Sequence, residues 1–380
     1  MLLSALTKRA LVGYTSHHAA SECLQAAAFK RYFSFSSFSR APKNSASNPE
    51  ESSDNQWSSS ESEASFDGSN SSSSAGAASS TSASYNYDKS SIDRIVNFNV
   101  AVAFQPKNRT KSNVFTRNTK LTPAELSPSG EDNLFVTTQS SDGYFALGVA
   151  DGVGGWAEAG YDSSAISREL CHSMKTIFEN ASKQHSLTPK SLLCSAFDEI
   201  AKSPKVEIGG TTACLGIISP DRKLKVANLG DSWCGVFRDC KLVEETQFQT
   251  HNFNTPYQLA KIPQQILQAA ARQGKKYITD SPQQSDEYAW QLQKGDLVLF
   301  ATDGVTDNVV PQDIEVFLKD KRDKKAPLAD TATSLVKEVV KVSKDQNFPS
   351  AFAQELSRLT GQKYLGGKED DVTVVMVEVL

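Results

Sequence analysis

The run Tyr144-Phe145-Ala146-Leu147-Gly148-Val149-Ala150-Asp151-Gly152-Val153-Gly154-Gly155 begins as an apolar segment and ends, with no polar spacer, in an aspartate followed by glycines. A short apolar run closed by a turn signal predicts a buried strand over 144–150. Asp151 then emerges at the rim of the sheet, where an uncompensated charge is costly. The arrangement recurs. Gly130-Glu131-Asp132 precedes a strand beginning at Leu134, Thr302-Asp303-Gly304 follows the run from Leu297 to Phe300, and Glu369-Asp370-Asp371 precedes Val372 to Val379. A single Asp-Gly pair reads as an ordinary turn. Repeated acidic strand ends point instead to carboxylates gathered around hard divalent cations, Mg2+ or Mn2+, which take oxygen ligands, and glycine after aspartate lets a backbone carbonyl approach as well. The five histidines form no cluster and the six cysteines no CxxC pair, so zinc is not expected and the cysteines read as free thiols in a reducing compartment.

Outward from these ends, further strands are expected at 96–104, 134–138, 211–218, 223–228, 233–238, 296–301 and 372–379. Short turns join most of them, which favours antiparallel pairing. Ile166, Leu170, Met174, Ile177 and Phe178 recur at helical spacing. Thr188 followed by Pro189 marks a second helix over Leu192, Leu193, Phe197 and Ile200. Thr255-Pro256 gives the same start signal before Leu259 and Ile262, and a fourth stripe runs through Leu328, Leu335, Val336, Val339 and Val342. Groups of strands with segregated helices indicate an α+β layered domain over residues 92–380.

The rest of the 380-residue chain differs in composition. Residues 1–40 carry Lys8, Arg9, Lys30, Arg31 and Arg40 against the single acid Glu22, as in a mitochondrial transit peptide; Arg31-Tyr32-Phe33-Ser34 suggests cleavage after Phe33. Residues 41–91 read as a disordered linker, with 20 serines between 44 and 91. The whole chain holds 40 basic and 44 acidic side chains, a balance that argues against nucleic-acid binding. No apolar run reaches the roughly eighteen residues that a membrane-spanning helix needs.

Two other functions fit parts of the pattern and fail on chemistry. Gly152 to Ala157 satisfies GxGxxA, the dinucleotide fingerprint, but Asp151 directly before it would repel a pyrophosphate and no second strand offers a ribose-binding acid. Ala301 to Thr306 looks like the nucleophile loop of haloacid-dehalogenase phosphatases. That loop needs an aspartate where Ala301 stands, so covalent aspartyl-phosphate chemistry has no nucleophile.

The ordered set Glu131-Asp132, Asp151-Gly152-Val153-Gly154-Gly155, Gly209 to Ala213, Asn228 to Ser232, Ala301 to Asp307 and Glu369 to Thr373 resembles the metal-dependent protein phosphatase family, the type 2C serine/threonine phosphatases, across about 95–380. Gly155-Trp156, His251-Asn252-Phe253-Asn254 and Pro256-Tyr257-Gln258-Leu259 resemble its mitochondrial branch. The resemblance implies an antiparallel β-sandwich flanked by helices, in α-β-β-α layers, with two Mg2+ or Mn2+ ions per subunit at one end. It implies that Asp151 bridges the ions, that Asp303 and Asp370 hold one of them, and that Glu131 and the Gly152 carbonyl face the other. Asp132 would orient waters or ligands. Asp231 and Asp307 would hold a weaker third ion or act through hydrogen bonds, and both readings stay open.

The implied activity is hydrolysis of phosphoserine and phosphothreonine in mitochondrial matrix proteins, with the branch linked to coenzyme Q biosynthesis enzymes. Bare carboxylates would exclude a phosphomonoester dianion; divalent ions reverse the local sign and lower the pKa of the attacking water. Two positions depart from the family. The Arg that often precedes the Glu-Asp pair by four residues is Ser127 here, which leaves Arg117, Lys120 and Lys368 as candidate phosphate anchors. The His that often follows the Asp-Gly pair is Val153, which leaves His251 or a metal-bound water as general acid. A catalytically silent relative used as a binding module is the alternative; such proteins lose metal ligands, whereas every matching carboxylate is present here.

Overall fold

The computed structural model describes residue 92 and residues 95–107 and 127–380; the transit segment, the serine-rich linker, Arg117 and Lys120 lie outside the described residues. Among them, apolar runs form two five-stranded antiparallel sheets. The first orders β1 (Phe98–Gln105), β14 (Val372–Val379), β13 (Leu297–Ala301), β7 (Trp233–Arg238) and β8 (Lys241–Glu245). The second orders β12 (Asp286–Gln291), β6 (Lys223–Leu229), β5 (Ala213–Ile218), β3 (Phe145–Ala150) and β2 (Asn133–Val136). Two short ladders complete the strands: β9 (Thr250–Asn252) with β10 (Thr255–Pro256), and β4 (Gly209–Thr211) with β11 (Leu259–Lys261).

Side-chain alternation makes the layers. Along β14, Val375, Val377 and Val379 join Phe145, Leu147, Cys234 and Phe300 between the sheets, while Val372, Val374 and Met376 pack on the other face. That outer face is covered by helices α6 (Pro311–Asp323) and α7 (Leu328–Ser343), which bury Ile314, Phe317, Leu335 and Val339. The second sheet is covered by α2 (Ser164–Asn180) and α3 (Pro189–Lys202), through Ile166, Leu170, Met174, Leu192 and Leu193. The result is the expected α-β-β-α sandwich. The remaining helices are α1 (Gly155–Glu158), α4 (Gln264–Arg272), α5 (Asp303–Thr306) and α8 (Ala351–Thr360).

The Thr188 signal works as predicted: its side chain accepts the Ser191 N–H, and Pro189 opens α3. The helix expected from Thr255-Pro256 does not form. Both residues lie in β10, and Leu259 pairs with Thr211 in β11 and is fully buried, so long-range pairing overrides a local start signal; the helix begins later, at Gln264 after Pro263.

Phe300 is fully buried between the sheets. Phe300→Ala is expected to lower unfolding free energy by about 3–5 kcal/mol through lost burial and a residual cavity. Equilibrium urea unfolding checks this, and a loss below about 1 kcal/mol would contradict a close-packed interior at that layer.

Candidate metal centre

Strand register carries the acidic ends to one rim of the sandwich. Asn133 pairs with Ala150, so Glu131 and Asp132 run alongside Asp151 and Gly152, and the Gly152 N–H donates to the Glu131 carbonyl at 3.1 Å. Ala301 pairs with Val374 and Gln105 with Val372, which brings Asp303, Lys107, Asp370 and Asp371 to the same level. Gly152 has no room for a side chain: a Cβ there would lie 2.6 Å from the carbonyl oxygens of Glu131 and Ser163. Gly130, at φ +84, adopts a left-handed turn that glycine favours and directs the chain into Glu131-Asp132.

Hydrogen bonds hold these side chains from behind. Ser163, just before α2, donates to Glu131 Oε1 at 2.5 Å, and Thr302 donates to Asp132 Oδ2 at 2.8 Å, joining the two sheets. The carboxyls of Asp151 and Asp303 are hydrogen-bonded to each other. Asp371 accepts the Lys107 N–H on Oδ1 and the Glu131 N–H on Oδ2, both at 2.7 Å, and so ties three strand ends together. Two ammoniums enter the cluster. Lys107 Nζ lies 2.7 Å from Asp370 Oδ1 and 3.3 Å from Glu131 Oε2. Lys368 Nζ lies 2.7 Å from Asp303 and 3.5 Å from Asp370, and also pairs with Asp307.

Crowding shifts protonation. Burial, then the charges of Asp303, Asp132 and Asp370, push the Asp151 carboxyl well above the usual carboxylate range. Burial and Asp371 do the same to Asp132, and burial with Asp303 and Asp307 to Asp231. Asp307 is pushed up to about 7, by burial first, against the pull of Lys368. Asp303 moves the other way: burial works to raise it, but Lys368, the Asp151 hydrogen bond and Lys107 outweigh burial. Burial disfavours the charged form of Lys368, yet Asp303, Asp307 and Asp370 hold its ammonium well above the ordinary value.

The donor set fits hard divalent cations: oxygen donors alone, negative charge in excess, and ammoniums standing where positive charge is required. The oxygens are not yet gathered on one point. Among the described residues no three acidic, histidine or cysteine side chains converge closely enough to hold an ion. Lys107 and Lys368 stand between the carboxylates, so an ion would have to displace ammonium charge.

The structure brings together the candidate site carboxylates Glu131, Asp132, Asp151, Asp231, Asp303, Asp307 and Asp370, linked by direct contacts or mutual charge effects, while Glu369 pairs with Lys344 instead. It gives His251 other partners. Its Nε2 lies 2.9 Å from Asp280 Oδ2 and its ring stacks on Tyr257 at 4.3 Å, an arrangement that braces β9 against β11. Gly209 to Ala213 act as scaffold, with the Gly210 carbonyl accepting the Val153 N–H at 2.9 Å. Sequence reasoning missed Lys107, Ser163, Thr302 and the tying role of Asp371. Asp371 stands in a quoted motif, whereas nothing local separates Lys107 from a surface lysine.

Residues 141–380 match the family described as Stage II sporulation protein E (SpoIIE). The chain is 52% identical over 298 residues to "Protein phosphatase 2C homolog 7, mitochondrial" of Saccharomyces cerevisiae, covering 77% of this chain and 85% of that protein. It is 36% identical to "Protein phosphatase PTC7 homolog fig" of Drosophila willistoni, over 66% of this chain and 77% of that one. Among solved structures, the photosystem II phosphatase PBCP superposes with a TM-score of 0.57 at 25% identity, over 74% of this chain and 99% of that chain.

Asp132, Asp151, Asp231 and Asp307 keep protons in the folded metal-free chain that an unfolded chain has released above about pH 4. Their raised values therefore make metal-free stability fall as pH rises from about 4 towards them, with Asp307 marking about 7; the lowered Asp303 acts only below about pH 4, outside that window. The melting temperature of the metal-free chain is expected to drop between about pH 5 and 7.5, and saturating Mn2+ to flatten that slope because ligands bind deprotonated. A metal-free melting temperature that climbs across the window would sink this electrostatic account.

Proposed function

The chain belongs to the metal-dependent type 2C protein serine/threonine phosphatases, and from that premise we propose that its acidic rim is a two-ion centre hydrolysing phosphoserine and phosphothreonine in mitochondrial matrix proteins. The convergence of acidic ends from separate strands, threaded by two ammoniums, supports this reading most directly.

Asp151 would contact both ions, Asp303 and Asp370 one, and Glu131 with the Gly152 carbonyl the other. Ser163 and Thr302 fix the Glu131 and Asp132 carboxylates, so their orientation is set before any ligand arrives. The Asp151 backbone is held on both sides by Thr212, whose Oγ1 accepts its N–H at 3.2 Å and whose N–H donates to its carbonyl at 2.9 Å. Asp231 and Asp307 take either the weaker third ion or the hydrogen-bonding role. Bound divalent ions supply Lewis acidity at the phosphoryl oxygens and lower the pKa of the attacking water. The residues of this chain confine that chemistry to the rim. His251 pairs with Asp280 and stacks on Tyr257, and so braces the flanking strands.

Asp151→Ala is expected to reduce both Mn2+ uptake and Mn2+-dependent hydrolysis of p-nitrophenyl phosphate by more than about a hundredfold, with little change in melting temperature. A folded variant with full activity refutes the assignment. A wild-type chain inactive at every metal concentration would favour the silent binding module.

The mitochondrial branch motifs, the basic serine-rich N-terminus and the mitochondrial designation of the yeast relative support the location, and coenzyme Q biosynthesis enzymes are the proposed targets. Quantitative phosphopeptide analysis of protease-treated mitochondria, with and without the gene, is expected to show raised occupancy on those enzymes. Unchanged occupancy removes that substrate assignment.

A further inference from the structure

We propose that Lys107 is the phosphoryl-binding residue of this site. Its ammonium pairs with Asp370 and Glu131 while those carboxylates lack divalent ions and turns to the phosphoryl dianion once they hold them. This rests on the reading of the rim as a metal-dependent phosphatase centre.

Lys107 combines a fixed backbone with a movable charge. Its N–H is held by Asp371 Oδ1 at 2.7 Å, two residues beyond the Gln105–Val372 pair that ends the β1–β14 ladder. The side chain is 28% exposed and its ammonium touches Asp370 and Glu131. A flexible four-carbon stem lets the charge sweep several ångströms about that Cα. Lys368 lacks this freedom. It is wrapped by Asp303, Asp307 and Asp370, its N–H donates to Asn308 Oδ1 at 2.9 Å, its carbonyl accepts from Asn308 Nδ2 at 2.8 Å, and its ammonium lies 5.4 Å from the Phe352 ring centre. Ser127, where the resemblance would place an arginine, spends its hydroxyl within its own turn, on Ser129 and the Asp132 carbonyl. Of the two ammoniums in the described site, Lys107 makes two ion pairs against three for Lys368 and is the more exposed, 28% against 20%.

Charge sets the direction of the exchange. Both acidic partners of Lys107 belong to the proposed ligand set. Divalent charge on Asp370 and Glu131 cancels the attraction that holds the ammonium and repels it. A phosphoryl group then offers the nearest anion, and a compact ammonium contacts its oxygens without the bidentate geometry a guanidinium imposes. One side chain should therefore oppose metal uptake and favour phosphate, effects of opposite sign that a purely structural ion pair would not produce.

The test uses the full-length chain as wild type, Lys107→Met and Lys107→Arg. Calorimetry reads Mn2+ binding to metal-free protein and inorganic phosphate binding to Mn2+-saturated protein; kinetics read KM and kcat for p-nitrophenyl phosphate. Lys107→Met is expected to bind Mn2+ several-fold more tightly, and phosphate at least about tenfold more weakly with KM rising in proportion. Lys107→Arg should recover most of the phosphate affinity; should the methionine variant fail to fold, Lys107→Gln replaces it. Unchanged phosphate affinity in a variant that takes up Mn2+ overturns the Lys107 assignment alone. Weakened binding of both Mn2+ and phosphate makes Lys107 a structural prop and overturns it too. A wild-type chain that takes up no Mn2+ overturns the metal-centre reading, and this inference with it.

Discussion

Repulsion among carboxylates concentrated at one rim sets the terms for the surrounding structure. Glu131, Asp132, Asp151, Asp231, Asp303, Asp307, Asp370 and Asp371 arrive there from separate strand ends, several of them buried. In a medium less polarisable than water such charges cannot all ionise unless positive charge joins them. The chain answers in three ways: protons retained on Asp132, Asp151 and Asp231, ammonium charge from Lys107 and Lys368, and hydrogen bonds from Ser163, Thr302 and backbone amides. The first two are positive charges that a divalent ion would replace, whereas the hydrogen bonds would keep the oxygens aimed in either case.

That division of labour needs a rigid support. Two sheets stacked face to face, each backed by a helix pair, bury Phe300, Phe145, Trp233 and Met174 almost completely, so the strand ends cannot splay to relieve the repulsion. The Thr302–Asp132 hydrogen bond crosses between the sheets at the rim itself, and Asp371 ties β1, β2 and β14 there. At the margin, the β9–β10 hairpin reaches the same region through Phe253, whose ring lies 4.8 Å from Phe352; the Phe352 N–H donates to the Asp307 carbonyl. The rim is thus bordered by a short two-stranded ladder whose residues are half-buried or exposed.

The parts of the fold legible in the sequence are those in which burial on both faces leaves a continuous apolar run. Val372–Val379 and Trp233–Arg238 form strands with the bounds that their composition suggests. Two of the strands that escaped notice, Lys241–Glu245 and Asp286–Gln291, lie at sheet edges, where solvent permits charged residues and erases the alternation. The misread start at Thr255-Pro256 has a similar origin, because a capping signal is local while the Leu259–Thr211 pairing that prevails is made with a strand far away in sequence.

The sequence by itself determined that acidic groups stand at the ends of apolar strands and that an α+β layered domain carries them. Those facts follow from residue type and short-range pattern. Only the tertiary structure decided that Asp151 and Asp303 share a hydrogen bond, that Lys107 and Lys368 divide the carboxylates between them, and that His251 turns to Asp280. Such pairings depend on register between strands separated by as many as 264 residues, as Lys107 and Asp371 are. No local pattern encodes them, because a lysine after a strand looks the same whether it meets water or an aspartate.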